Sequence, residues 1–110
     1  KTNPNSRRAA MIYNRPSMHL DFNRDGMSDF MCTFANTFMI RDGKLISHYA
    51  MRSNDAVFGY NNDVAWAKFV QGQLAYDLEV EVGDLIWTAT NLHVYERHFE
   101  FIEALINAGK

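Results

Sequence analysis

The chain has 110 residues, a formal net charge of −2, and apolar and aromatic contents of 47% and 14%. This is room for one small domain with a packed core and not two; it is too apolar for a disordered chain and lacks the basic excess of a general nucleic-acid polymer binder. A single cysteine, Cys32, excludes an internal disulfide framework and a multi-cysteine zinc site and suits a reducing, cytoplasmic setting.

Residues 1–8, KTNPNSRR, are polar and turn-like, with no apolar run of the kind a signal peptide needs. Opening on Lys1 without an initiator Met points to a processed chain or a fragment. AAMIY (9–13) reads as a short buried strand that Pro16 stops, and DFNRDGMSD (21–29) is rich in turn formers. Aromatic and β-branched residues favour a strand from Phe30 to Arg41, and Asp42-Gly43 signals a hairpin into a second strand reaching about Arg52. A helix follows, capped by Asn61, Asn62 or Asp63, with Trp66, Phe69, Val70 and Leu74 on its apolar face. VGDLIWTATNLHVY (82–95) reads as a strand and its exit, and Phe99, Ile102, Leu105 and Ile106 mark a short amphipathic helix closed by Gly109. No stretch approaches the ~20 apolar residues of a membrane span. The mixture of a hairpin with helices predicts a mixed or antiparallel sheet rather than a purely parallel one.

Asp21, Asn23, Asp25 and Gly26 match the first half of a calcium-binding loop, but Cys32 stands where the bidentate acid belongs, so the segment reads as a turn. His93 and His98 are separated by four residues rather than the three of a helical zinc pair, which argues against a metal site. Cys32 has two readings. Beside Phe30, Met31 and Phe34 it fits a buried small hydrophobe. With Arg7, Arg8 and Arg52 available to hold a phosphate, it also fits a nucleophile, because cations favour reactive thiols. Those arginines also fit a solvated or salt-bridged set, Asp63 a helix N-cap, His93 a hydrogen-bonded residue at a sheet edge and Tyr95 a packed aromatic.

Taken together, SRR (6–8), Cys32 ten residues ahead of DGKL (42–45), RSND (52–55), Gly59, LEVEVGDLIWT (78–88), and LHVY with His98 resemble the C-terminal half of the thymidylate synthase superfamily. The likeness spans most of the chain and leans to the virus-encoded deoxycytidylate 5-hydroxymethylases. NSRRAAMIYNRPSMHLDFNRDGMSDFMCT and MRSNDAVFGYNNDVAW resemble that branch, as does Met31-Cys32-Thr33 in place of the synthases' Pro-Cys-His. Where the synthases carry an asparagine that reads uracil, this sequence has Asp63.

The resemblance implies an α+β fold: a mixed sheet packed with helices, with residues 1–110 a single partial domain corresponding to the C-terminal portion of the family domain. It implies a one-carbon transferase in which Cys32 is the nucleophile and Asp63 distinguishes cytosine from uracil and handles a proton. Arg52 and Ser53 match phosphate-binding positions, and Arg7 and Arg8 match a pair that reaches the partner's phosphate across a homodimer. His93 and Tyr95 match contacts to the ribose 3′-hydroxyl, and Asp55 matches a folate-contacting acid. The implied substrate is dCMP and the co-substrate 5,10-methylenetetrahydrofolate, with no metal, nucleic-acid polymer or membrane involved, in the host cytoplasm if the source is viral. The alternatives are a dUMP-using or other pyrimidine-nucleotide enzyme on the same scaffold, and an incomplete half-domain that dimerises or binds nucleotide. Met51 replaces the synthases' glutamine, and ATNLHVY (89–95) departs from their GGDTHLY, so contacts around Asn91 do not transfer. The family's catalytic glutamate, another phosphate arginine and the closing C-terminal tail have no counterpart in residues 1–110.

Overall fold

In the computed structural model, which describes residues 2–21 and 30–110, Asp42 and Gly43 both take positive φ, 50° and 73°. That is the backbone of a type I′ turn, whose twist matches paired strands and which Asp-Gly accommodates at little steric cost. The turn joins β2 (Thr33–Arg41) to β3 (Lys44–Asp55) in an antiparallel hairpin. β1 (Ala9–Ile12) adds antiparallel to β2. A crossover through helix α1 (Gly59–Leu78) brings β4 (Glu81–His93) parallel to β3, giving the order β1-β2-β3-β4 in one mixed sheet. Helix α2 (Phe99–Ala108) follows a short 3₁₀ turn at Glu96–His98.

One sheet face packs on α1. Leu45, Ser47, Tyr49 and Met51 alternate along β3 toward the helix and are all nearly inaccessible to water. The helix meets them with Ala67, Gln71 and Ala75, spaced four residues apart. Two alanines let the backbones approach closely, and Val70, Leu74 and Leu78 fill the flank beside Phe38 and Leu45. Trp66 and Phe69, expected in that face, are instead 49% and 63% exposed and stack on each other. Helix α1 carries apolar residues on two faces, and the narrower one meets the sheet. β1 is likewise not buried: Ile12 is 63% exposed, because β1 is an edge strand away from α1.

The buried Gln71 has a structural task. Its Nε2 donates to the carbonyls of Leu45, Gly83 and Asp84 at 2.9, 3.1 and 3.0 Å. At this place the β3–β4 register slips, from Leu45 opposite Val82 to Ser47 opposite Leu85, so β4 carries one extra residue. Gly83 belongs to the same bulge, since a Cβ there would stand 3.0 Å from the Leu45 carbonyl oxygen. Beyond the bulge the register brings Asp55 opposite His93.

The start of α1 differs from the sequence expectation. The helix begins at Gly59, and none of Asn61, Asn62 and Asp63 caps it. Asp55, just before it, accepts hydrogen bonds from the amides of Val57 and Phe58 at 3.0 and 3.4 Å. An Asx-type turn at the end of β3 thus launches the helix early and carries Asp63 into its second turn. Most of the calcium-loop look-alike, residues 22–29, lies outside the described residues; Asp21 at its start pairs with Arg15 at 2.8 Å. Among the described residues, no three His, Cys, Asp or Glu side chains are grouped as metal ligands. None of the described helices is long and apolar enough to cross a membrane.

Candidate active site

Cys32 lies one residue before β2 and is exposed, so the buried-hydrophobe reading fails. The Arg52 guanidinium on neighbouring β3 ties the segment down. Its Nε donates to the Met31 carbonyl at 3.2 Å, and its Nη2 donates to the Phe30 carbonyl at 3.4 Å and to Cys32 Sγ at 3.6 Å. The Phe30 ring lies under the guanidinium, 5.7 Å from its centre, and the Cys32 thiol donates to the Phe30 carbonyl at 3.4 Å. The Arg52 amide also donates to the Cys32 carbonyl at 2.6 Å. A thiol and a cation that are twenty residues apart in sequence are therefore held in contact by strand pairing.

The C-terminal ends of β3 and β4 gather the next group. Their parallel register sets Ser53 opposite Asn91 and Asp55 opposite His93. The His93 ring nitrogen Nδ1 lies 2.9 Å from Asn91 Oδ1, and its ring meets Tyr95 edge-on at 5.1 Å. Tyr95 is 45% exposed, with the Arg97 guanidinium 4.3 Å from its ring centre. The Asp55 carboxyl is held below the usual carboxylate range, chiefly by the Val57 amide, with the Phe58 and Gly59 amides adding to the effect.

Asp63 sits differently. Half-buried, its carboxyl is pushed up by desolvation, against which a hydrogen bond from Asn54 acts. Asn54 Nδ2 donates to Asp63 Oδ2 at 3.1 Å, while Asn54 Oδ1 accepts from Trp87 Nε1 at 3.1 Å. Trp87 in turn stacks on Tyr49 at 4.6 Å, and burial raises the Tyr49 phenol to about 12. Gly59 makes room here: a Cβ would meet Asp55 Cβ at 3.3 Å and stand 3.8 Å from both Asn54 Nδ2 and Asp63 Oδ2.

Of the residues singled out from sequence, Cys32 and Arg52 are in contact, and Ser53, Asp55, His93 and Tyr95 cluster at the strand ends with Asp63 across Asn54 and Gly59. Arg7 and Arg8 stand apart. They precede β1, whose Ala9 pairs with Phe38, whereas Ile12 pairs with Ala35 near Cys32. Phe38 lies six residue steps along the chain from Cys32, roughly 20 Å at the usual strand rise. Both arginines are exposed. The residues sequence reading missed are Asn54, Trp87 and Gln71. Asn54 sits inside the RSND motif, and its burial, with only 2% exposed, was the absent signal.

The family model described as thymidylate synthase matches residues 1–109. Deoxycytidylate 5-hydroxymethyltransferases of Enterobacteria phages T2 and T4 are 49% and 50% identical over 98% of this chain, which covers 47% of each of those proteins. Thymidylate synthase of Bacillus licheniformis is 31% identical over 91% of the chain and 34% of its own length. Among solved structures, the thermostable thymidylate synthase A from Bacillus subtilis superposes with a TM-score of 0.78 at 28% identity, over 94% of this chain and 36% of that one. The chain thus spans about half the length of the phage relatives it matches.

Proposed function

Because the chain belongs to the thymidylate synthase family, we propose that it is the nucleotide-binding portion of a deoxycytidylate 5-hydroxymethylase. The observation that carries this reading is the Asp63 carboxylate: half-buried, released from helix capping, and anchored through one oxygen only among the described residues. Uracil offers N3–H and O4, which an amide matches with its oxygen and its NH₂; cytosine reverses both. A carboxyl accepts from the cytosine amino group and, when protonated, donates to N3. Such a site rejects the wrong base strongly, because mispairing strands buried polar groups. Support also comes from the phage hydroxymethyltransferases that match nearly the whole chain.

On this reading the Cys32 sulfur bonds to C6 of dCMP, and the C5–C6 electron pair becomes the nucleophile at C5. 5,10-Methylenetetrahydrofolate supplies the one-carbon unit. C5 bonds to that carbon and loses its proton, tetrahydrofolate departs, and the exocyclic methylene so formed takes up water. Expulsion of the Cys32 thiolate restores the C5–C6 double bond and releases 5-hydroxymethyl-dCMP. Arg52 positions Cys32 and, with Ser53, faces the phosphate. His93 and Tyr95 meet the ribose hydroxyl. Asp55, part-exposed and with its carboxyl held below the usual range, suits an N–H-bearing edge of the folate. Arg7 and Arg8 serve the phosphate of a second copy in a homodimer, which covers the sheet face opposite α1, where Ile86 is 48% exposed. The setting is the cytoplasm, that of the host if the source is viral.

The test uses the full-length protein and tritium release from C5-labelled nucleotides. Release from dCMP well above that from dUMP, lost in Cys32→Ala and shifted toward dUMP in Asp63→Asn, is the expected pattern. Equal or greater release from dUMP would replace the cytosine assignment. Retained release in Cys32→Ala would remove Cys32 from the chemistry.

A further inference from the structure

We infer that Trp87 and Asn54 form a positioning relay that decides which oxygen of Asp63 donates to the pyrimidine and which accepts from it. The inference rests on the reading of Asp63 as the base-recognising residue. Asn54 is 2% exposed, so its amide cannot exchange partners with water. An indole N–H is a donor and never an acceptor, so Trp87 Nε1, at 3.1 Å, requires the oxygen of the Asn54 amide on its side. The Asn54 NH₂ group is thereby forced toward Asp63 Oδ2, also at 3.1 Å. A donor facing Oδ2 takes one of its lone pairs and disfavours a proton on that oxygen, which would make it a poorer acceptor. Protonation of Asp63 is thereby directed to Oδ1. The carboxyl therefore presents one defined edge: O–H at Oδ1, and the remaining lone pair of Oδ2. That edge complements cytosine N3 and its amino group.

Trp87 is itself fixed, stacked on Tyr49 at 4.6 Å with an interplanar angle of 13°, and in edge-on contact with the Tyr60 ring at 5.6 Å. The three side chains come from β4, β3 and α1, so the relay exists only when the parallel pair and the crossover helix are all in place. Gly59 completes it by leaving the space beside the Asn54–Asp63 contact unfilled. The titratable groups around Asp63 are Tyr49 from β3 with Tyr13 packed against it at 5.9 Å, Tyr60 on α1 itself, and Asp55 at the end of β3. Burial keeps Tyr49 protonated to about pH 12, and Asp55 titrates below the usual carboxylate range, so neither mimics an Asp63 transition.

Trp87→Phe in the full-length protein is the informative change, because it keeps an aromatic ring against Tyr49 while removing the N–H together with part of the indole's volume, and the readouts below separate the two losses. The Asn54 amide is then free to flip and accept from a protonated Asp63 oxygen, which favours the neutral acid. Two readouts follow. The ¹³C carboxyl resonance of Asp63 should titrate at higher pH in Trp87→Phe than in the parent. The pH limb of kcat/KM for dCMP should move the same way, with kcat/KM falling about five- to tenfold, the loss expected for one hydrogen bond. Asn54→Ser, a smaller polar side chain unable to bridge the two partners, should lower kcat/KM further. A merely structural role for Trp87 would lower thermal stability while leaving both midpoints unmoved, and that result overturns the relay. If the parent releases no tritium from dCMP while the carboxyl midpoint still moves, the relay stands and the cytosine reading falls.

Discussion

Gln71→Met separates the bulge from the rest of the fold, and its cost follows from the contacts. The Gln71 Nε2 group has two hydrogens and serves the carbonyls of Leu45, Gly83 and Asp84, so at least one N–H is shared. Gln71 is 2% exposed, and methionine fills nearly the same volume, so no cavity forms. Two lost hydrogen bonds at about 1 kcal/mol each, plus about 1–3 kcal/mol for carbonyls left without a donor, give roughly 3–5 kcal/mol. For a chain of this size that lowers Tm by roughly 12–20 °C, measured by circular dichroism. Gln71→Glu sharpens the test, because a glutamate donates only when protonated. Its pKa is raised in the folded state, so stability is present below the unfolded value of about 4.3 and is lost as pH rises through the folded one. The Glu variant should approach the parent near pH 4 and fall far below it at pH 8. A Met variant within about 3 °C of the parent, or a Glu variant with a flat profile, would refute the argument that this amide holds the β4 register.

Gly59→Ala should weaken dCMP binding about tenfold by calorimetry, since the added Cβ presses on Asp55 Cβ at 3.3 Å beside the Asn54–Asp63 contact; the helix-propensity gain of about 1 kcal/mol keeps Tm from falling. Unchanged affinity would show that this spacing is unimportant. Cys32→Ala should leave stability within about 0.5 kcal/mol of the parent, because the thiol is exposed; mass spectrometry should show its covalent adduct with a 5-fluoro nucleotide gone. Asp63 has a raised folded-state pKa, so its favourable contribution is present below the unfolded value and lost as pH rises through the folded one. Asp63→Asn should therefore be the more stable protein at pH 7, with the advantage vanishing near pH 3, as read by urea unfolding.

The hairpin and the mixed character of the sheet were legible because Asp42-Gly43 and the strand patterns are local signals. The early start of α1 was not. Asn61, Asn62 and Asp63 are all good capping types, but Asp55 reaches the Val57 and Phe58 amides first and the helix is under way by Gly59. The packed face of α1 was half legible: Val70 and Leu74 do pack beside Phe38 and Leu45, but periodicity weights large apolar residues, whereas close helix–sheet contact selects Ala67 and Ala75 and leaves Trp66 and Phe69 outside. Asn54 and Gln71 were invisible because a polar residue argues against burial until its partners are known. Those partners lie on other elements: Trp87 is 33 residues from Asn54, and Leu45 is 26 from Gln71. The site residues themselves came from family resemblance, since exposure of Cys32 and release of Asp63 from capping depend on tertiary structure.

The arrangement of cations then bears on how many chains make one site. Arg52 is committed locally: two backbone carbonyls, the thiol and an aromatic ring occupy its guanidinium, which leaves part of its fork for a phosphate. A phosphate dianion beside a reactive thiolate calls for more positive charge than one shared guanidinium provides. Arg7 and Arg8 are adjacent, exposed and without acidic partners among the described residues, yet strand pairing holds them roughly 20 Å from Cys32. No rotamer of an arginine spans that gap within one chain. Under the proposed function they become useful when a second copy packs against the open sheet face and a two-fold axis carries each pair toward the other chain's phosphate. The same packing would cover Ile86 and the rest of a face that α1 leaves bare. Under the proposed function, the placement of Arg7 and Arg8 and the exposure of Ile86 are both accounted for by one symmetric partner.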